Sequence, residues 1–250
     1  MKIYYHPAST TSRPLALFAA ESGMQIDFQV VDQQAGTSTV QLVACHRGLV
    51  ARYLDWLREA GCAPTWIVPS SWGVAAWFQQ HQAAARTREP VLLVNFDADH
   101  TDLVVVRQAR VVLSRSLSQG VSAWETQHEA LIQEIERSLS SLRKELPGVE
   151  VNSLVLTGIE PLERWKDLLE QRLGKSVNQR PATAGHPLSN VSSSPGISPA
   201  VVLGLAFGGS GSWINLLPGE SRHARHAQRR TREFVLTASL VFAALLLGGA

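Results

Sequence analysis

The sequence has few of the residues that build metal or disulfide sites. Its 250 residues include two cysteines, Cys45 and Cys62, which lie seventeen positions apart with no CxxC motif and no clustered histidines. A metal site or a stabilising disulfide therefore has little to be built from, and this cysteine usage is typical of a reducing cytoplasm. We predict no metal ligands.

Other absences narrow the class of protein. Ser70, Ser71 and Ser118 have no Gly-x-Ser-x-Gly context, which disfavours a serine hydrolase. The formal net charge is only +2, and it is positive because arginines near the C-terminus offset a mildly acidic body. This balance argues against a general nucleic-acid-binding protein. No N-terminal signal peptide is evident, since residues 1–7 have the pattern of a strand.

The C-terminal part lacks charge over a long run. Residues 234–250 contain no charged side chain, and residues 221–232 contain five arginines and no acid. The arginines are Arg222, Arg225, Arg229, Arg230 and Arg232. A helix over 234–250 would be about 25 Å long, which is close to the thickness of a membrane's hydrocarbon core. Basic residues that flank one end of a span favour a cytoplasmic location for that end. We predict a single transmembrane helix in the bacterial inner membrane with the bulk of the chain cytoplasmic; a buried helix or a surface anchor is the alternative.

The pattern from residue 90 to 207 predicts an ordered series of strands and helices. The predicted elements are strands Val91–Phe96, Asp102–Arg107 and Arg110–Leu117, helix Ser122–Glu145, strand Ser153–Thr157, helix Pro161–Leu173, a strand near Val177, and helix Pro199–Phe207. The first three strands form an antiparallel meander. The order β-β-β-α-β-α-β-α is that of a ribonuclease-H-like domain, the half-unit of the actin-like superfamily.

The upstream part predicts further strands and helices. They are strands Asp27–Asp32, Thr39–Cys45 and Thr65–Val68, and helices Leu49–Glu59 and Val74–Ala85. This pattern is similar to the end of a preceding half-unit whose first strands are absent. Four tryptophans lie in these apolar elements and are predicted to be core residues: Trp56, Trp66, Trp72 and Trp77.

Three long segments carry a family resemblance: TVQLVACHRGLVARYLDWLREAG, VLLVNFDADHTDLVVVRQARVVLSRSLSQG and SLVLTGIEPLERWKDLLEQRLGKSV. They resemble the actin-like cytoplasmic proteins of type IV pilus and type II secretion assembly, the PilM and GspL families. The later INLLPGE resembles the N-terminal peptide of PilN, which docks on PilM ahead of a membrane helix. The resemblance covers residues 27–250 and implies an α/β, actin-like (ribonuclease H-like) fold with an incomplete first half.

The resemblance also implies where a nucleotide would bind, and this chain departs from the family there. Asn95 replaces an aspartate that holds Mg²⁺ through water, and Asp97 replaces a glycine that lets backbone amides approach phosphate. The degenerate pocket comprises Asn95, Asp97, His100, Thr101, Gly120, Gly158 and Glu160. We therefore predict a pseudo-ATPase with no catalytic residues and no bound ATP or Mg²⁺. Asp97, Asp99 and Asp102 are predicted to be solvated turn acids.

The implied role is a non-catalytic scaffold in the inner membrane that binds other pilus or secretion subunits and recruits the cytoplasmic assembly ATPase. Ile214, Asn215, Leu216, Leu217 and Pro218 are predicted to lie extended against the actin-like domain or a sister subunit. The predicted organisation is a first fragment over 1–32, a remnant of the first actin-like half over 33–89, the ribonuclease-H-like half over 90–210, a docking and basic segment over 211–233, and the transmembrane helix over 234–250.

The first 32 residues support a different interpretation. MKIYYHPASTTSRPLALFAAESGMQIDFQVVD resembles the opening β-α-β of a glutathione transferase. In that resemblance Ser9 takes the place of the hydroxyl that binds the glutathione thiol, and Arg13 follows at the family's spacing. The alternative function is therefore a glutathione transferase-like enzyme that uses glutathione, and it requires residues 33–90 to complete a thioredoxin fold.

Overall fold

The computed structural model of the chain describes residues 24–34, 37–81, 89–145, 148–159, 161–184, 196–208 and 214–218. These residues form two compact units. The hairpin unit contains residues 24–67 together with 214–218, and the sheet unit contains residues 68–208. The predicted docking segment therefore belongs to the same unit as the first described strands.

The hairpin unit begins with two antiparallel strands, β1 (Met24–Gln34) and β2 (Thr37–His46), which are separated by only two residues. Helix α1 (Arg47–Glu59) follows β2 directly. The predicted domain boundary between residues 32 and 33 falls inside β1. One hairpin thus joins segments that the sequence pattern assigned to different domains.

The sheet unit is built on a mixed five-stranded sheet. Its strands are β3 (Val91–Phe96), β4 (Thr101–Arg107), β5 (Arg110–Leu117), β6 (Ser153–Gly158) and β7 (Ser176–Gln179). They lie in the order β5-β4-β3-β6-β7; β4 is antiparallel to both β3 and β5, whereas β6 and β7 run parallel to β3. The predicted ribonuclease-H-like order is confirmed, and the ends of β3 to β6 agree with the prediction to within one residue.

The main apolar core lies between the sheet and two helices, α3 (Trp124–Glu145) and α4 (Glu163–Leu173). Alternate residues of β3 point into it, and the ring of Phe96 stacks on Trp165 with centroids 4.9 Å apart. Helix α4 ends where predicted, because Gly174 adopts the left-handed conformation with φ of 60°. The other side chains of β3 therefore face the opposite side of the sheet.

Helices α2 (Ser70–His81) and α5 (Pro199–Phe207) pack against each other on that opposite side. They cross at two glycines. A Cβ atom on Gly204 would collide with the backbone of Gly73, and one on Gly73 would lie 2.8 Å from the carbonyl oxygen of Val201. The two helices therefore pack backbone against backbone.

Two predicted elements before the sheet differ from the structure. Helix α2 begins at Ser70 and not at Val74, because the amide of Trp72 already bonds back to Pro69 at 3.0 Å. The predicted strand Thr65–Val68 is wrong. The carbonyl of Ile67 accepts a hydrogen bond from the backbone amide of Leu216, but the amide of Ile67 donates to the side chain of Asn215. The alternating backbone hydrogen bonds of a paired strand therefore do not continue there.

Two of the four tryptophans that were predicted to be core residues are exposed. Trp56 and Trp66 are 53% and 40% exposed, whereas Trp72 and Trp77 are buried. Trp56 lies on α1, which buries only the side that carries Val50, and Trp66 lies in the loop before α2. The prediction that all four tryptophans are core residues is therefore wrong for these two.

The membrane prediction concerns residues beyond the described ranges. Within those ranges, every helix is too short or too polar to cross a bilayer. The predicted span 234–250 and the arginines before it lie outside the described residues. The transmembrane helix therefore stays a prediction.

Candidate functional site

The loop between β3 and β4 lies where the resemblance places the phosphates of a nucleotide. Its first residue, Asp97, is 2% exposed. Carboxylate Oδ1 accepts a hydrogen bond from the backbone amide of Ser198, and Oδ2 lies 2.7 Å from Nε2 of His100. The backbone oxygen of Asp97 accepts from the amide of Val121 at 2.9 Å. Asp97 thus ties the end of β3 to two other segments of the sheet unit.

Burial raises the pKa of Asp97 above its ordinary value of 3.8, because desolvation disfavours the charged carboxylate. The Ser198 amide and the charge of His100 lower the pKa, and the charge of Asp102 raises it further. Ser198 is also the N-cap of α5, where its hydroxyl accepts from the amide of Ala200 at 3.2 Å. The Asp97 carboxyl is therefore held at a helix N-terminus by groups of the protein itself.

Both glycines of the predicted pocket are required by close packing of the chain on itself. A Cβ atom on Gly120 would collide with the backbone of Asp97. One on Gly158, whose φ is +126°, would collide with the backbone of Phe96. The amide after Gly158, that of Ile159, donates to the carbonyl of Phe96 at 2.8 Å. At both positions the absence of a Cβ atom lets two backbone segments of the protein pack together.

A group of polar side chains is buried beside the loop, on the side of the sheet that faces α2. Asn95 and Thr157 are paired on β3 and β6, and neither has exposed surface. Within the described part of the chain, both polar atoms of the Asn95 amide, Oγ1 of Thr157 and Oγ of Ser71 have no hydrogen-bond partner. Asp102, opposite Asn95 on β4, accepts a 2.6 Å hydrogen bond from the hydroxyl of Ser70.

These residues do not fit a magnesium nucleotide. Mg²⁺ binding requires a carboxylate that can hold the ion's water shell. Asn95 carries no charge, and the carboxylates of Asp97 and Asp102 are buried and bonded to protein groups. The hydroxyl of Thr101 donates to the carbonyl of Gln119 at 2.7 Å. No cluster of three or more metal-binding side chains occurs in the described ranges.

The expectation that the loop acids are solvated is wrong for two of the three. Asp97 and Asp102 are each 2% exposed, because they bond to groups that lie far away in sequence. Asp99 is exposed, as expected. Glu160 of the predicted pocket lies outside the described residues.

Sequence reasoning missed several residues that build this region: Ser70, Ser71, Thr157 and Ser198. Ser198 had a recognisable signal, since a serine immediately before a proline at a predicted helix start is a common N-cap. The other three have ordinary local contexts, and only the fold brings them beside Asn95 and Asp102. No local pattern could have identified them.

The docking segment forms a second candidate site, in the hairpin unit. Its residues are Ile214, Asn215, Leu216, Leu217 and Pro218, of which the first four are buried. The Asn215 side chain connects it to the loop before α2: Oδ1 accepts from the amide of Ile67 at 3.1 Å, and Nδ2 donates to the carbonyl of Thr65 at 3.2 Å. The amide of Leu216 donates to the carbonyl of Ile67 at 2.8 Å. The Asn215 side chain thus satisfies one backbone amide and one backbone carbonyl of the 65–67 segment, as the backbone of a paired strand would.

Comparison with solved structures finds the same fold elsewhere. The chain is similar to a PilM–PilN type IV pilus biogenesis complex, with a TM-score of 0.59 and 18% identity over 72% of this chain. It spans 64% of the length of that chain. The resemblance to the PilM family is confirmed at the level of the fold.

Two weaker matches are an actin-like ATPase fold protein of Bacteroides thetaiotaomicron and an archaeal actin homolog. The first has a TM-score of 0.40 and 13% identity, and covers 72% of this chain and 64% of that one. The second has a TM-score of 0.35 and 16% identity, and covers 54% of this chain and 53% of that one. No family model and no curated protein matches the sequence.

The glutathione transferase alternative gains no support from the described residues. Ser9 and Arg13 lie outside them. Between residues 33 and 90 the described chain contains the end of β1, then β2, α1 and α2. A thioredoxin fold needs further paired strands in this region, and the described part does not supply them.

Proposed function

We propose that the protein is a non-catalytic, actin-like subunit of a type IV pilus or type II secretion assembly platform. The observation that carries this proposal is the docked segment 214–218, in a chain whose fold resembles a complex of two pilus biogenesis proteins. Here the INLLP segment and the surface that it contacts belong to one chain. The remaining surface would bind inner-membrane subunits and the cytoplasmic assembly ATPase, with no role in binding nucleic acid.

The scaffold role is supported by the loop at Asp97. An enzyme of this fold would need a metal-anchoring acid and free backbone amides at the phosphates, whereas this chain has Asn95 and a buried Asp97 that bonds to Ser198. We infer that the protein neither binds nor hydrolyses ATP. Its actin-like unit would act as a rigid support for partners.

Limited proteolysis tests the docked segment. Leu216 is 5% exposed, so Leu216→Asp would bury a charge and release the segment, at a cost of several kcal/mol. We expect cleavage near Asn215 to accelerate at least tenfold while the sheet unit stays protected. The matched control is Val202→Asp, which places the same charge at a side chain that is 56% exposed. Equal cleavage rates in the parent and Leu216→Asp would refute docking.

Membrane attachment is the second part of the proposal, and it is supported by the uncharged run 234–250 after five arginines. The full chain should stay in the membrane pellet through a carbonate wash, and deletion of residues 234–250 should release it. Release of the full chain by high salt would mean that it is bound only at the membrane surface.

A further inference from the structure

A row of polar side chains crosses the five-stranded sheet on the side that faces α2. Asp102 on β4 is paired with Asn95 on β3, and Asn95 is paired with Thr157 on β6, so the three side chains point to the same side. Asn95 and Thr157 have no exposed surface, and Asp102 is 2% exposed. The neighbouring row on that side is apolar and buried, and consists of Val104, Leu93 and Val155. The polar row is therefore enclosed in the interior of the sheet unit.

Several polar atoms of this interior have no hydrogen-bond partner among the described residues. They are both polar atoms of the Asn95 amide, Oγ1 of Thr157 and Oγ of Ser71. Ser71 lies in the first turn of α2, beside Ser70, whose hydroxyl bonds to Asp102 at 2.6 Å. A buried polar atom that has lost its bonds to solvent and gained no others destabilises a fold, and native proteins contain few of them. Four such atoms in one region indicate that a bound molecule completes their hydrogen bonds.

The spacing of the strands suits a molecule of the size of water. Neighbouring strands lie about 4.8 Å apart, whereas a direct hydrogen bond needs about 3 Å between its heavy atoms. No direct bond joins the side chains of Asn95 and Thr157, although their residues are paired on adjacent strands. One water molecule can bridge two polar groups at such a separation.

The chemistry of these groups selects a neutral ligand that both donates and accepts. The Asn95 amide presents two N–H donors and one carbonyl acceptor, and the hydroxyls of Thr157 and Ser71 can do either. A cation would leave the donors of Nδ2 unsatisfied, and an anion would be repelled by the carboxylate of Asp102. We propose that a buried water molecule is bound between Asn95 and Thr157 as a permanent part of the fold.

The sign of a stability change tests whether the Thr157 hydroxyl has a partner. Valine has the shape of threonine without Oγ1, so Thr157→Val loses a bond to water and should lower the midpoint of urea unfolding. Thr101→Val is the matched reference, because the Thr101 hydroxyl donates to the carbonyl of Gln119 and its loss must also lower the midpoint. An unchanged or raised midpoint for Thr157→Val would overturn the proposal, since removal of an unpartnered buried hydroxyl stabilises a protein.

The identity of the ligand is tested on the full-length chain. Magnetic relaxation dispersion of water counts long-lived internal waters, and Asn95→Leu, which fills the same space with an apolar side chain, should lower that count by at least one. Thr101→Val should leave the count unchanged. Equal counts in the parent and Asn95→Leu would overturn the proposal.

A measurement on the parent chain alone excludes a cation. The midpoint of urea unfolding should be the same in sodium, potassium and choline chloride at equal ionic strength, because water binding does not depend on the salt's cation. A midpoint that is higher in sodium or potassium chloride than in choline chloride would show that a metal ion occupies the row and would overturn the proposal.

Discussion

At the scale of single residues, the side chain of Asp97 determines which groups the β3–β4 loop contacts. The backbone amide of Asp97 donates to the carbonyl of His100 at 2.9 Å, and that of Ala98 donates to the carbonyl of Gly196 at 3.2 Å. The carboxylate of Asp97 accepts a hydrogen bond from the amide of Ser198 and pairs with His100. The carboxylate thereby holds the N-terminus of α5, and we propose that the loop no longer binds phosphate.

The buried charge of Asp97 should make stability depend on pH. Because burial raises the folded pKa above 3.8, ionised Asp97 lowers the free energy of unfolding at neutral pH. That loss is recovered as pH falls through the raised pKa towards 3.8. Asp97→Asn keeps an acceptor for the Ser198 amide without the charge, so we expect it to be more stable than the parent at neutral pH. The difference should shrink near pH 4.

Urea unfolding of both chains across this pH range measures the effect. Asp99→Asn makes the same charge change at an exposed position of the same loop and should show no such trend. An Asp97→Asn variant that is less stable than the parent at neutral pH, or a pH-independent difference, would mean that the ionised carboxylate stabilises the fold.

The unusual residues at this site were visible in the sequence, but their environment was not. Asn95 and Asp97 stand out against the family pattern in any alignment of motifs. Their burial depends on partners that are remote in sequence: Ser198 lies 101 positions from Asp97, and Ser70 lies 32 positions from Asp102. Local pattern rules treat acids in a turn as solvated, and only the tertiary fold overrides that expectation.

At the scale of elements, helices α2 and α5 cross with their backbones in direct contact. Each helix presents a glycine at the crossing, and no side chain separates the two backbones there. Ser70, at the start of α2, reaches Asp102 on β4, and the N-cap of α5 reaches Asp97. The crossing therefore positions both helix starts over the buried polar side chains.

Gly204→Ala should disrupt this crossing. Its new methyl group would meet the backbone of Gly73, which cannot rotate away, so we expect the free energy of unfolding to fall by about 1 to 3 kcal/mol. Gly48→Ala is the control, because nothing lies within 4 Å of a Cβ atom there. It should raise stability by up to about 1 kcal/mol through helix propensity. Denaturant unfolding compares them, and equal effects of the two changes would contradict close packing of the helices.

The sequence predicted the elements of the sheet unit well because their patterns are local. Runs of Val and Leu bounded by turns defined β3 to β6, and Gly174 marked the end of α4. The pairing of β1 with β2 was missed, because the resemblance over residues 1–32 placed the two strands in different predicted domains. In the structure only two residues separate the paired strands. The Thr65–Val68 strand was overpredicted, since an apolar run does not reveal that its partner is the Asn215 side chain.

At the scale of the whole molecule, the structure combines a unit of actin-like fold, in which Asp97 is buried at the β3–β4 loop, and the largely buried segment 214–218. Both features are consistent with the scaffold role that we propose. The fold could be predicted from element order, whereas the docked geometry of Asn215 on Thr65 and Ile67 could not, because about 150 residues separate them.

The central claim, that this actin-like chain is a scaffold without nucleotide chemistry, is tested most directly by calorimetric titration of the full-length protein with ATP and Mg²⁺. Buried Asn95 and bonded Asp97 predict no heat of binding at micromolar concentrations. A dissociation constant below about 10 μM, equivalent to roughly 7 kcal/mol, that is lost in Asn95→Leu would contradict the account.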